Sequence, residues 1–419
     1  MSGATVPASE DGPGEGPADP LADRPAEDDP SGELAEAARA VLDQHWRPPG
    51  FCVPNDRTYP WQWLWDSCFH ALCWARLGRP DRARTELTNA LSHQADDGFV
   101  PHITYWSASG RADDDTHAEF WGRRASSALT QPPMYGHAVA ELMRAGVDLP
   151  DDVVDRARRG LRFLFEARHR DGVGPVIVHP WESGCDDSPR WDAWNPRPLA
   201  PGRAAGWKVV KGELVDALAF GSGGSPEASA AFEVAAAGFG ALMAFNAAEL
   251  ADVIGDQVLA GEAARLTATL DRRWQADLAT WTDQVVIGPA RRSGSAAIRT
   301  ADALLPVLVS TRADAVDAAF AQLLDPVAFG AAYGPTGVHR AEPAFDPRTY
   351  WRGPAWPQVT YLLWVAARRR GRAADAAGLA GQLVAGARRS GFAEYWDPDT
   401  GEGLGAIPQS WTALACLVV

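Results

Sequence analysis

Residues 350–390 read YWRGPAWPQVTYLLWVAARRRGRAADAAGLAGQLVAGARRS. An aromatic opening gives way to apolar residues at helical spacing, then a break at Gly371-Arg372, then a second periodic run rich in Ala and Leu. A proline in the first turn is a start signal for the first run. The spacing predicts helices at 355–371 and 372–390. A turn this short makes them antiparallel neighbours, with long aromatic loops before and after the pair.

The same pattern repeats outward along the chain. Further helices are expected at 33–45, 65–77, 81–94, 133–145, 151–169, 205–219, 229–253, 256–278, 302–324 (with a break near 311) and 408–418, which makes twelve and an all-α fold. Turns after the second, fourth and tenth are short, whereas those after the first, third, fifth, ninth and eleventh are long. Helices alternating up and down would bring the long loops to one face. The long stretch 279–300, after the eighth helix, breaks the alternation.

Composition narrows the partners. The chain has 419 residues and a net charge of -15; residues 1–32 carry eight acidic side chains and one basic, so nearly half the charge lies in a Pro- and Gly-rich segment read as a disordered tail, with one domain at 33–419. An acidic body without a Lys/Arg patch argues against nucleic acid and anionic membranes. No run of about 18 apolar residues suggests a membrane span, and no charged start followed by an apolar run suggests a signal peptide. Five cysteines without metal-ligand spacing point to a reducing cytoplasm, with no structural metal and no disulfide framework. A small polar substrate fits best.

Twelve of the 18 Trp fall in five loop segments that make up about a quarter of the chain, where chance would place about five. Indole faces stack on sugars, but they also pack loops onto helix ends. Three acidic segments stand among them. In 59–70, YPWQWLWDSCFH, Asp66 sits at a helix start beside Trp61, Trp63 and Trp65; it either complements the helix dipole or accepts from ligand hydroxyls. In 179–192, HPWESGCDDSPRWD, the carboxyls of Glu182, Asp186, Asp187 and Asp192 cannot all ionise cheaply in one enclosure, and a raised carboxyl is what a general acid requires. Turn and cap duties compete for Asp186 and Asp187. In 390–405, SGFAEYWDPDTGEGLG, Glu394 is flanked by aromatics and followed by glycines that allow a close backbone approach to a ligand. Arg352 either steadies a catalytic carboxylate, binds an anionic group of the substrate or forms a surface ion pair.

Taken together, WQWLWDSCFH (61–70), GFVPH (98–102), LTQPP (129–133), HPWESGCDDSPRW (179–191), YWRGPAWPQVTYLLW (350–364), EYWDPDTGEGLG (394–405) and QSWTAL (409–414) resemble the mannosylglycerate and glucosylglycerate hydrolases of glycoside hydrolase family 63, and more loosely the trehalases. The resemblance implies an (α/α)6 barrel of six helical hairpins, with the site where the long loops meet. It implies hydrolysis of a small α-glycoside with inversion and without metal or cofactor. By carry-over, Asp186 falls on the general acid and Glu394 on the general base. Asp66, Trp65, Trp356 and Gln409 fall on the pocket of the cleaved sugar, and Gln131 and Tyr59 near the aglycone. Trp63, Trp181, Gly184, Tyr350, Trp351 and Arg352, in the same stretches, complete the expected substrate-binding set.

Trehalases carry a more elaborate set of arginines around the acid, whereas Arg190 and Arg352 are the chief ones here. Segment 103–124, polar at its centre and aromatic at its edges, is a candidate lid. The rival readings are a glucosidase on another small α-glycoside or an oligosaccharide, an inactive sugar-binding protein, and an epimerase. The last would use paired histidines, and His102, His137, His179 and His339 form no obvious pair in the sequence.

Overall fold

The computed structural model describes residues 30–195, 205–289 and 294–419. The span assigned to a disordered tail lies outside the described residues up to position 29; its last three residues already belong to the first helix. In chain order the α-helices are α1 (Pro30–His45), α2 (Leu64–Arg76), α3 (Pro80–Leu91), α4 (Ala118–Trp121), α5 (Tyr135–Arg144), α6 (Asp151–Glu166), α7 (Ala205–Val215), α8 (Ala237–Ile254), α9 (Gln257–Asp271), α10 (Ala313–Leu324), α11 (Pro357–Arg369) and α12 (Ala373–Ser390). Two 3-10 helices, Asp302–Leu308 and the terminal Ser410–Leu417, take the place of full helices in the packing.

Six elements pack each against the next in a closed cycle: α2, α5, α8, the Asp302–Leu308 helix, α11, the terminal helix, and back to α2. They are buried on nearly every side. The partners α3, α6, α9, α10, α12 and α1, in the same order, lie chiefly against one each and are half-exposed amphipathic helices with an apolar stripe turned inward. α8 is long and apolar enough to cross a membrane, but most of it is buried here between α5 and α9.

The expected count of twelve helices matched the total for a partly wrong reason. The segment 302–324, counted as one helix with a break near 311, is two separate elements divided at 309–312. Pro306 interrupts the first, and Asp271 captures the Ser310 hydroxyl (2.5 Å) and the Thr311 amide (3.0 Å) and hydroxyl (2.6 Å), which stops the chain between them. Conversely, α7, counted as one of the twelve, belongs to the long connection between α6 and α8. With both corrected, every connection from an outer to an inner element is long and every return is short. The apparent break at 279–300 is then simply one of the long connections.

The all-α expectation missed the strands. The expected helix 229–253 starts only at Ala237, because Glu233–Ala235 pairs with Asp283–Ile287, which also pairs with Gly294–Ala296. Likewise 256–278 stops at Asp271 and passes into a hairpin pairing Trp274 with Trp281. Further two-residue antiparallel pairs, such as Gln62–Trp63 with Ile103–Thr104 and Tyr395–Trp396 with Gly403–Leu404, stiffen the long connections. The fold is mostly helical, with short strands confined to those connections.

Candidate active site

The long connections meet over the starts of the inner elements, and there they line an open pocket of about 450 Å³, the solvent at its mouth included. Its walls are Pro54, Tyr59, Trp63, Trp65, Asp66, Gln131, Gly184, Asp186, Tyr350, Trp351, Glu394, Gln409 and Trp411. Eleven of the fourteen expected site residues are therefore in one place. Trp181, Arg352 and Trp356 do not line it. Trp356 lies behind, its ring stacked 3.6 Å from that of Trp351 and 4.5 Å from Tyr395. Trp181 packs into a small apolar core that the loops form for themselves with Ile103, Tyr105, Trp121 and Leu129. Arg352 is ion-paired with Asp192, with Nη1 donating to Oδ2 at 2.8 Å.

Pro54 and Trp411 were not among the expected residues. Trp411 stands in the QSWTAL stretch, so the aromatic count was the signal that could have found it; Pro54 gave none. Of the twelve loop Trp, only Trp63, Trp65, Trp351 and Trp411 face the pocket, so packing explains most of the enrichment. The candidate lid segment 103–124 lines no part of the pocket, but its Tyr105 and His117 hold Trp61, two residues from Trp63.

The four crowded carboxyls of 182–192 are separated by their partners. Glu182 is fully buried and takes two bonds from Arg168 (2.7 and 2.9 Å), with the amides of Val178 and Thr130 at 2.8 and 3.2 Å. Asp187 is paired with Lys211, which lies over the ring of Trp181. Asp192 holds Arg352. Asp186 is left without a side-chain ion pair among the described residues. Burial pushes its carboxyl up to about 7, Lys211 opposes this, and the charges of Asp187 and Glu394 add to it.

Glu394 is raised for the same first reason, also to about 7, against the opposing donors Ala406 N–H, Tyr59 and Tyr350. Its Oε1 accepts from the Tyr59 hydroxyl at 2.9 Å and its Oε2 from the Ala406 amide at 2.9 Å. Gly405, at φ +71°, makes this possible: a Cβ there would stand 2.4 Å from Glu394 Oε2. Gly184, also at φ +71°, gives Trp65 its room, since a Cβ would come within 2.7 Å of the indole.

Asp66 stands in the first turn of α2, two per cent exposed, with Oδ1 unpartnered among the described residues. Burial pushes its carboxyl well above the usual range, and Glu394 and Glu86 add to this. A helix-dipole role alone would not leave an oxygen unsatisfied inside a pocket. Trp63 Nε1, Trp351 Nε1 and Gln409 Oε1 are unpartnered in the same way, so the walls present both donors and acceptors to a hydroxyl-rich ligand. Asp66→Ala is expected to weaken binding of a monosaccharide about tenfold or more at unchanged Tm; calorimetric titration with glucose or mannose checks this, and an unchanged Kd would return Asp66 to a structural role.

The arginines and histidines serve elsewhere. Arg190 is held by Asp283 and Asp302. His102 and His179 are each lowered by burial to about 3, and both bond to backbone carbonyls, of Leu129 and Lys211. Two buried groups have metal-donor atoms close together, Cys52/His70/Glu86 and His137/Glu141/Glu249. In the first, Glu86 is bonded by the Cys52 amide and the Ser67 hydroxyl; in the second, Arg144 and Arg369 neutralise the carboxylates.

Comparison with known proteins gives the family. The model of the mannosylglycerate hydrolase MGH1-like glycoside hydrolase domain matches residues 59–412. A mannosylglycerate hydrolase of Thermus thermophilus is 32% identical, over 88% of this chain and 96% of its own. A glucosylglycerate hydrolase of Mycolicibacterium hassiacum is 28% identical, over 86% of this chain and 91% of its own. The crystal structure of a family 63 mannosylglycerate hydrolase from Thermus thermophilus, in complex with Tris, superposes with a TM-score of 0.76 at 28% identity, covering 92% of this chain and 99% of that one. The chain therefore belongs to the mannosylglycerate hydrolase MGH1-like family and is a glycoside hydrolase of family 63.

Proposed function

We propose that this enzyme hydrolyses an α-linked glycosylglycerate, mannosylglycerate or glucosylglycerate, with inversion, at the mouth of an (α/α)6 barrel. The reading of the barrel rests on the closed cycle of six inner elements, each backed by one outer helix. The observation that carries the chemistry is the pairing off of Glu182, Asp187 and Asp192, which leaves Asp186 alone beside the pocket it shares with Glu394. In this reading Asp186 protonates the leaving oxygen. Glu394 takes a proton from a water on the opposite face of the sugar, and the Tyr59 hydroxyl and the Ala406 amide hold its carboxylate in position. Trp65, Trp351, Asp66 and Gln409 hold the ring. The relatives' names supply the substrate class, and the five unpaired, buried cysteines support a reducing, cytoplasmic setting.

Incubation with glucosylglycerate, mannosylglycerate, glucosylglycerol, trehalose and kojibiose, followed by proton NMR, tests this. Initial release of the β-anomer from one of the glycerates is expected; initial α-anomer would exclude inversion, and no turnover of either glycerate would exclude the substrate class.

The acid works below about pH 7 and the base above it, so kcat/KM should follow a narrow bell centred near neutrality. The Tyr59 hydroxyl stabilises the Glu394 carboxylate, so its loss raises that group's proton affinity. Tyr59→Phe is therefore expected to move the acidic limb to higher pH, losing more activity at pH 6 than at pH 8. An acidic limb that stays in place would show that Tyr59 does not tune the base.

A further inference from the structure

The axis of the inner ring is filled in layers. Trp65 lines the pocket from the first turn of α2, and Phe69, one turn below it, meets Tyr361 of α11 at 6.1 Å between ring centroids. Tyr361 reaches across the axis to His137 of α5, whose Nε2 lies 3.3 Å from its hydroxyl. Gln358 precedes Tyr361 by three residues, which puts it on the same axial face of α11, one turn nearer the pocket, although it is not itself one of the pocket's walls. It is fully buried, yet both amide atoms, Nε2 and Oε1, are unpartnered among the described residues.

Such an amide is costly to the fold, because a buried polar atom without a partner gives up its bonds to water and gains none in return. Its neighbours show the same signature. The terminal helix and α2, which follow α11 around the ring, begin with Gln409 Oε1 and Asp66 Oδ1, and both are unpartnered and line the pocket. Three successive inner helices thus each carry an unsatisfied polar group in or beside the first turn, at the pocket end.

We propose that Gln358 completes the polar floor of the sugar site, its amide donating to and accepting from an O–H group there, either a hydroxyl of the ring being cleaved or one ordered water beneath it. This rests on the reading of the pocket as a sugar site. Gln358 then trades fold stability for ligand binding.

Gln358→Met, of similar length and without polar atoms, separates the two contributions. The expected result is an equal or higher Tm together with a kcat/KM lowered about 10–100-fold on the better of glucosylglycerate and mannosylglycerate, as expected for the loss of one or two hydrogen bonds. Calorimetric titration with the released sugar identifies the partner: a matching loss of affinity means a ring hydroxyl, and unchanged affinity with a lowered kcat means a water. Wild-type kinetics and sugar affinity in the variant would overturn the proposal. So would unfolding of both Gln358→Met and Gln358→Leu, since the amide would then be required by the fold itself. A wild-type enzyme that neither bound a monosaccharide nor cleaved a glycerate would instead overturn the sugar-site reading.

Discussion

Asp186→Asn is expected to lower kcat by about three to four orders of magnitude on a glycosylglycerate, at the upper end of what proton donation contributes. The leaving oxygen of glycerate departs as a poor alkoxide unless it is protonated, and an amide of the same shape has no proton to give. The effect should therefore depend on the leaving group. A 4-nitrophenyl glycoside, whose phenolate leaves without help, should lose far less than the natural-type substrate.

The fold is expected to survive, and the pH dependence of stability follows from the sign of the shift. The folded carboxyl is raised above its unfolded value of 3.8 to about 7, so its contribution is favourable at low pH and lost as pH rises through neutrality. The neutral Asn avoids that loss, so the variant's Tm should match or exceed wild type above pH 7. A kcat within tenfold of wild type, with the substrate still bound, would remove Asp186 from the acid role.

Glu394→Gln is expected to be as damaging, but with a different signature. The acid remains, so a better leaving group should not restore the rate. What is missing is the acceptor for a water proton, and a small anion that needs no base can stand in for that water. Azide is expected to recover part of the turnover and to yield a glycosyl azide of inverted configuration. The Ala406 amide that bonds Glu394 Oε2 at 2.9 Å can bond a glutamine oxygen as well, so circular dichroism and Tm should be unchanged. An azide product of retained configuration, or turnover near wild type without azide, would overturn the assignment.

Much of the candidate site was legible along the chain, because most residues that line the pocket sit in short aromatic stretches and each stretch carries its own signal. The alternation of short and long connections placed the loops at one end for the same reason: turn length is a local property. The break near 311 was legible, but the strands were not, and neither was the partner that sets the break. Glu233–Ala235 becomes a strand only because Asp283–Ile287 comes to lie beside it, and 302–324 breaks where Asp271, about 40 residues earlier, captures Ser310 and Thr311.

The sequence by itself determined a largely helical chain with three carboxylate-bearing loops; its residues offered four candidate acids in one loop, and the family resemblance pointed to Asp186 among them. Only the tertiary structure distinguishes them on physical grounds, by bringing Arg168, Lys211 and Arg352 to three of the four and leaving Asp186 as the proposed acid. It also showed the unsatisfied amide of Gln358, which in sequence is one more polar residue at a helix start. Proton affinity and unmet hydrogen bonding depend on what surrounds a group in space, and those surroundings are supplied by residues as far as 335 positions away, as for Tyr59 and Glu394.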